Sequence, residues 1–378
     1  MRLTPLLLAT VALVAASGCG NDGNGVADAA SETSVEPAVL DVIADQPFPD
    51  ERCVANRDAG TITFLTGSGF DAAASIVDVL MADEAGYYSD LCLDVDVVAG
   101  LSSDNYDAVV NGNAQFASGG SFGEMVTASA ASGADLVATT VEGRTPIDVL
   151  IVPAGETSDV ADLAGRRIGV MGSLSPALDV LLRSEGLTAG VDVDIVPLDA
   201  ADPVAHLVNG IDALAGRKSV EVGALEREGI GVQLFDPLDS AIPGSFGVIF
   251  TTRGFVDAHP TAAADFVRAT MRGLADAVAD PAAASQIALE RSGDSADPDD
   301  AALERQMFRW QTEAALVLEG TPEGLGLGIP DLAALQAELD ADAATGLFAD
   351  DQVPTATDHV ALGLADQIYD GSILIIPG

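Results

Sequence analysis

The chain has 378 residues, 48% of them hydrophobic, which is ample for two ordinary domains with their own cores. Its net charge of -43, with 59 acidic against 16 basic residues, repels phosphate backbones and so excludes nucleic acid as a partner. Lys218 is the only lysine.

Arg2 opens the chain, and Leu3 to Ala16 is almost wholly apolar. This run falls short of the roughly 20 apolar residues of a membrane span and reads as a secretory signal. It ends Ala16-Ser17-Gly18-Cys19, which looks like the bacterial lipobox, in which a peptidase cuts before a cysteine that is then diacylated. A signal peptide over 1–18, lipidation at Cys19 and an extracytoplasmic, membrane-anchored location are therefore expected. Residues 19–57, rich in Gly, Asn, Asp, Ser, Ala and Pro, read as a flexible tether. Two further cysteines, Cys53 and Cys92, make an even remainder in an exported chain and point to a disulfide.

The folded body opens with the β-branched and aromatic run Thr61–Thr66, which suits a strand. Gly67-Ser68-Gly69 breaks it. A helical pattern follows from about Asp71, with Ile76, Val77 and Leu80, and Leu93–Val97 then alternates as a half-buried strand. The plan recurs downstream: strand Arg167–Met171, break Gly172-Ser173, helix Leu178–Leu182, alternating strand Val191–Ile195. Two βαβ beginnings predict an α/β protein of two lobes, each with a parallel sheet flanked by helices. The alternating aspartates read as solvated edge-strand faces rather than metal ligands. Beyond Thr251 the pattern turns helical, with segments after Pro260, around Met307, Phe308 and Trp310, and over Leu332, Leu335 and Leu339.

The order of these features resembles the periplasmic solute-binding proteins of ABC importers, in the group that takes sulfonates, nitrate and pyrimidine precursors of thiamine. Ala85-Gly86-Tyr87-Tyr88 through Leu93-Asp94-Val95 is similar to the family's "G-Y-F, G-L-D-V" passage. Val110 to Ala117 is similar to "V-x-x-G-x-x-D-F-G", with Gln115 in place of the aspartate. Asp162-Leu163-Ala164-Gly165-Arg166-Arg167-Ile168-Gly169-Val170 is similar to "D-L-K-G-K-K-I-G-V". Gly326 to Tyr369 resembles the pyrimidine-precursor branch, without the Trp usual near Leu335. The resemblance implies a monomer of the two-lobed periplasmic-binding-protein fold (type II-like), with lobe 1 over 58–150, lobe 2 over 151–246 and a return to lobe 1 over 247–378. It implies crossing strands near Ile147–Val152 and Phe246–Thr252, a ligand in the cleft, a permease as partner and no cofactor.

In open α/β sheets ligands bind past the carboxyl ends of strands, where helix N-termini offer free N–H groups. Four such turns stand out: Gly67–Phe70, Ser118-Gly119-Gly120-Ser121-Phe122, Gly172–Ser175 and Arg217-Lys218-Ser219. Ser118, Gly119, Gly120, Ser121, Ser173, Ser175 and Lys218 are the candidate polar contacts, and Phe70, Phe122 and Phe246 the candidate stacking faces. An anion would use the helix N-termini with Arg217 or Lys218 as counter-charge. A flat heteroaromatic would stack on the phenylalanines, and the longer C-terminal resemblance favours it.

Enzyme readings compete. Gly119-Gly120-Ser121-Phe122-Gly123 fits G-x-S-x-G, with Ser121 as nucleophile and His359 as base, but no HGGG-type oxyanion loop accompanies it. Synthases related to the pyrimidine branch consume pyridoxal phosphate and need a lysine and a histidine near the first strand, which this chain lacks there. His206, His259 and His359 form no zinc-binding spacing.

Overall fold

The computed structural model describes residues 40–198, 202–208, 210–293, 300–348 and 353–378. The signal and Cys19 lie outside them. The described chain begins with α1 (Asp50–Arg57), β1 (Thr61–Leu65), α2 (Val77–Glu84), α3 (Tyr87–Asp90), β2 (Asp94–Val98), α4 (Ser102–Val110), β3 (Phe116–Gly119), α5 (Phe122–Ser132) and β4 (Leu136–Gly143). It then enters a second sheet through β5 (Asp148–Pro153), β6 (Arg167–Val170), α6 (Pro176–Ser184), β7 (Asp194–Pro197), α7 (Pro203–Val208), β8 (Ala213–Arg217), α8 (Glu221–Arg227) and β9 (Val232–Phe235). It returns with β10 (Phe246–Thr252), followed by α9 (Arg253–Ala258), α10 (Pro260–Ala279), α11 (Pro281–Ser292), α12 (Asp300–Gly320), α13 (Leu332–Ala343), α14 (Leu364–Ile368) and a hairpin of β11 (Tyr369–Asp370) and β12 (Ile373–Leu374).

The sheet of lobe 1 has the order β2-β1-β3-β10-β4, and that of lobe 2 the order β7-β6-β8-β5-β9. Neither is purely parallel. β10 runs antiparallel to β3 and β4, and β5 runs antiparallel to β8 and β9. In each lobe the reversed strand is the one that arrives from the other lobe, because a chain entering from the cleft side runs opposite to strands that end there. The two aspartate-bearing strands, β2 and β7, are the outer strands of their sheets. Asp94 and Asp96 are exposed, with Asp94 accepting from Thr61 Oγ1 at 2.7 Å.

Lobe 1 buries both faces of its sheet. Ile62, Phe64, Phe116 and Ile249 pack against α2 and α10 on one side. Ala117, Ala138, Val248 and Phe250 pack against α5 and α13 on the other. Helix α10 is twenty residues long, with Pro260 at its first turn, where the missing N–H costs nothing. No helix among the described residues is long and apolar enough to cross a membrane.

The stretch expected as a tether is structured at its end, since residues 50–57 are helical. Inside α1, Arg52 is 3% exposed and donates through Nε to Asp265 Oδ2 at 2.6 Å, while Asn56 Nδ2 donates to the same oxygen at 2.8 Å. A buried guanidinium needs such a partner, which fixes α1 to α10. Cys53 and Cys92 are bonded, with Cα atoms 5.2 Å apart.

Candidate functional site

The carboxyl ends of both sheets meet at a cavity of about 50 Å³, room for a few water-sized groups. Lobe 1 contributes Gly67, Ser68, Ser102, Ser118, Gly119, Gly120, Ser121 and Glu124, together with Ala73, Ala74 and Ile76. Lobe 2 contributes Asp148 and Arg217. The segments that link the lobes contribute Ile147 and Ser245, followed by Phe246 and Gly247 at the start of β10, and Glu313 reaches in from α12.

Local chemistry shapes each wall. Asn105, buried on α4, donates to Thr66 O at 3.0 Å and Ser118 O at 2.8 Å, tying together the ends of β1 and β3. Ser121 caps α5: its Oγ accepts from Glu124 N at 3.2 Å, and Glu124 Oε2 accepts from Ser121 N at 3.3 Å. This is the reciprocal capping box that the spacing Ser121-x-x-Glu124 encodes. A Cβ at Gly120 would push the Glu124 carboxylate aside, and one at Gly143 would run into the Phe246 ring.

The helix expected from Asp71 starts later, at Val77. The intervening backbone is held by side chains instead. Ala72 N–H donates to Gln306 Oε1 at 2.7 Å, Ala74 N–H to Glu313 Oε2 at 2.7 Å, and Ser75 N–H to Glu142 Oε1 at 3.0 Å. Ser75 sits at a φ of 59°, strained for a non-glycine residue, and its Oγ lies 2.6 Å from Ser118 Oγ. Glu313 Oε1 also accepts from Ser219 Oγ of lobe 2 at 2.7 Å. One buried carboxylate thus joins both lobes.

The cavity carries a negative excess. Glu124, Asp148 and Glu313 line it against the single cation Arg217, among the described residues. Burial pushes the Glu124 carboxyl up, and neighbouring Asp148 adds to this, while Arg217 opposes it. Loss of hydration pulls the Arg217 guanidinium down, but Asp148, Glu313, Glu124 and Glu221 outweigh that and hold it above its ordinary value. Behind α5, burial raises Glu338 to about 7 and Asp342 to about 8, each reinforced by nearby carboxylates.

The structure brings Ser118, Gly119, Gly120, Ser121 and Phe246 together at the cavity, with Gly67 and Arg217. Other expected contacts fall elsewhere. Phe122, at the first position of α5, turns inward and is fully buried with Met125 and Phe250. Phe70 packs half-buried against the core of lobe 1. Ser173 is exposed, and Ser175 precedes α6 outside the cavity lining. Lys218 Nζ donates to Pro146 O at 2.9 Å and pairs with Asp236 Oδ2 at 2.6 Å, which joins the two segments that link the lobes. Glu124, Asp148, Ser245 and Glu313 are among the cavity residues that sequence reasoning missed. Only Glu124 carried a signal, through its capping box.

The serine-hydrolase arrangement is not assembled. His359 Nδ1 lies 3.4 Å from Leu136 O, at the start of β4, whereas Ser121 faces the cavity at the opposite end of that sheet.

Comparison with solved structures gives the fold. A protein from Bordetella bronchiseptica RB50 matches with a TM-score of 0.60 at 21% identity, covering 81% of this chain and 96% of that one. The alkanesulfonate-binding protein SsuA from Xanthomonas axonopodis pv. citri, bound to MOPS, matches at 0.57 and 19% identity, covering 79% and 97%. The desulfurization enzyme DSZB also matches, at 0.53 and 16% identity over 81% and 98%, so the fold hosts catalysis as well as binding. Among curated proteins no relative matches the chain. The family described as NMT1/THI5 like matches residues 73–284, more than half of the sequence. With two sheets of matching strand order closing on one cavity, the chain belongs to the NMT1/THI5-like family.

Proposed function

We propose that the chain is an extracytoplasmic solute-binding protein, anchored by lipid at Cys19, that captures a small molecule between its lobes as a monomer and delivers it to an ABC importer. The observation that carries this is the cavity walled by the carboxyl ends of both sheets, where open α/β folds bind ligands. Two linking segments, 144–147 and 236–245, are the hinges, and ligand shifts the population toward the closed arrangement. The apolar leader and lipobox support export and anchoring. Of the two ligand readings, the heteroaromatic, vitamin-precursor type keeps only Phe246 as a stacking face at the cavity. The sulfonate reading, supported by the likeness to SsuA, keeps Arg217 as a counter-charge at the cavity, while Lys218 is engaged at the hinge.

A thermal-shift screen of the mature chain over vitamins and their precursors, amines, sulfonates and carboxylates tests the reading. A ligand at a hundred times its Kd adds about 2.7 kcal/mol, a rise of several degrees. No stabilising compound, with Ser121-dependent hydrolysis of nitrophenyl esters, would replace it with an esterase.

A further inference from the structure

On several of the turns that face the cleft, backbone donors are already taken by side chains. On the first turn of α5 the N–H groups of Gly120, Ser121, Phe122 and Gly123 go to Tyr106 Oη, Glu124 Oε2, Ser245 Oγ and Glu338 Oε1. Ahead of α2 those of Ala72, Ala74 and Ser75 go to Gln306, Glu313 and Glu142. In lobe 2 Arg217 N–H goes to Glu221 Oε2 at 2.7 Å. A helix N-terminus attracts an oxyanion when its N–H groups are free and its positive end is unmatched. Here side chains of the chain itself occupy those positions, Glu124, Glu338, Glu313, Glu142 and Glu221 with carboxyl groups and Tyr106, Ser245 and Gln306 with neutral oxygens, and an incoming sulfonate or carboxylate would have to displace one while facing the others.

What the cavity offers a solute is the reverse. Glu124 from lobe 1 and Asp148 from lobe 2 line it, and a carboxylate is an acceptor only. Glu313 is already committed to Ala74 and Ser219. Arg217 shows the chemistry that fits: its Nε stands 3.7 Å from Asp148 Oδ1, with its side chain 43% exposed. Resting on the reading of the cleft as the solute site, we infer that the solute is bound as a cation, an amine, amidine or guanidine whose N–H groups are received by Glu124 and Asp148, and that oxyanions are refused. Because those carboxylates belong to different lobes, a single cationic group held by both also draws the lobes together.

Glu124 is faced by Asp148 and Arg217 from lobe 2, by Tyr106 from α4 and by Glu338 and Asp342 from α13. Burial raises its carboxyl, and a neighbouring cation favours its charged form.

The experiment is titration calorimetry of the mature chain with four probes: n-butylguanidinium, 4-aminopyrimidine, butyramide and butanesulfonate. The guanidinium is expected to bind at least tenfold more tightly than the neutral amide. Glu124→Gln, which retains the capping hydrogen bond, and Asp148→Asn should each weaken it tenfold or more with the thermal midpoint unchanged. Binding of butanesulfonate without the guanidinium overturns the inference and leaves solute capture standing. Cation affinity untouched by both substitutions also overturns it. If no probe binds and no compound of the wider screen stabilises the chain, solute capture itself fails and takes the inference with it.

Discussion

The two lobes share one strand order yet are built to different depths. In lobe 1, β3, β4 and β10 are buried along nearly their whole lengths, and helices after β10 pack on both faces of the sheet, with α12 and α13 also touching lobe 2. In lobe 2, β7 and β9 are half exposed, and the core divides into two smaller groups, around Leu150 and Leu182 and around Ile151 and Leu225. The returning chain explains the asymmetry. Residues after Thr252 give lobe 1 a second layer of helices and send Gln306, Glu313 and Glu338 into its turns. Lobe 1 supplies most of the cavity's lining, and lobe 2 is the lighter part that faces it.

The sharpest way to break this comparison is to remove an ion pair from each lobe. Asp265 is fully buried and receives Arg52, Arg268 and Asn56 together. Asp265→Ala leaves two buried guanidinium groups without their carboxylate and should cost about 3–5 kcal/mol in urea unfolding. In lobe 2 the exposed Arg166–Asp212 pair, 3.1 Å apart, should lose no more than about 1 kcal/mol in Asp212→Ala. Equal losses would mean that the lobes are equally deep.

A smaller effect is expected from pH. Glu338 and Asp342 are raised to about 7 and about 8 inside lobe 1, chiefly by burial. A carboxyl raised in the folded state favours folding while it is protonated. Its contribution is full below its unfolded value, near 4, and is lost as pH rises through 7 to 8. Stability should therefore fall by about 1–3 kcal/mol between pH 5 and 8.5, a decline that Glu338→Gln with Asp342→Asn should flatten. Urea midpoints across that range would show it.

The smallest effect belongs to the link between lobes. Lys218→Met removes the bond to Pro146 O and the pair with Asp236, for about 1 kcal/mol of stability. Its larger signature should be local: faster hydrogen exchange in 144–147 and 236–245, with the sheet of lobe 1 unchanged. Acceleration spread evenly over both lobes would remove Lys218 from the hinge.

Much of the architecture was legible in the chain because it is written locally. Thr61–Leu65 and Arg167–Val170 are strands where β-branched runs meet glycine breaks, and Leu332, Leu335 and Leu339 mark α13 by their spacing. The cavity was legible only in part. The turn Ser118–Ser121 declares itself, but Phe122 stands next to it and points into the core, because the first residue of a helix can face either way until the packing is known. Glu313 lies in an ordinary amphipathic pattern and becomes a cavity residue only when α12 folds back across both lobes. The lone lysine drew a ligand-binding reading from its rarity, whereas its acceptors, Pro146 and Asp236, hold it between the two segments that link the lobes.

The fastening of the first described residues has a mechanical consequence. Asp45 N–H donates to Ile376 O at 3.0 Å, and Gly378 N–H to Gln46 O at 2.8 Å. Just beyond, α1 is stitched by Cys53–Cys92 to the loop before β2 and by Arg52 to α10. A pull exerted at residue 40 is taken up in shear by these fastenings and passes wholly into lobe 1. Lobe 2 lies off the load path. A protein held by its amino end on a moving surface would keep its cavity free to open and shut under tension.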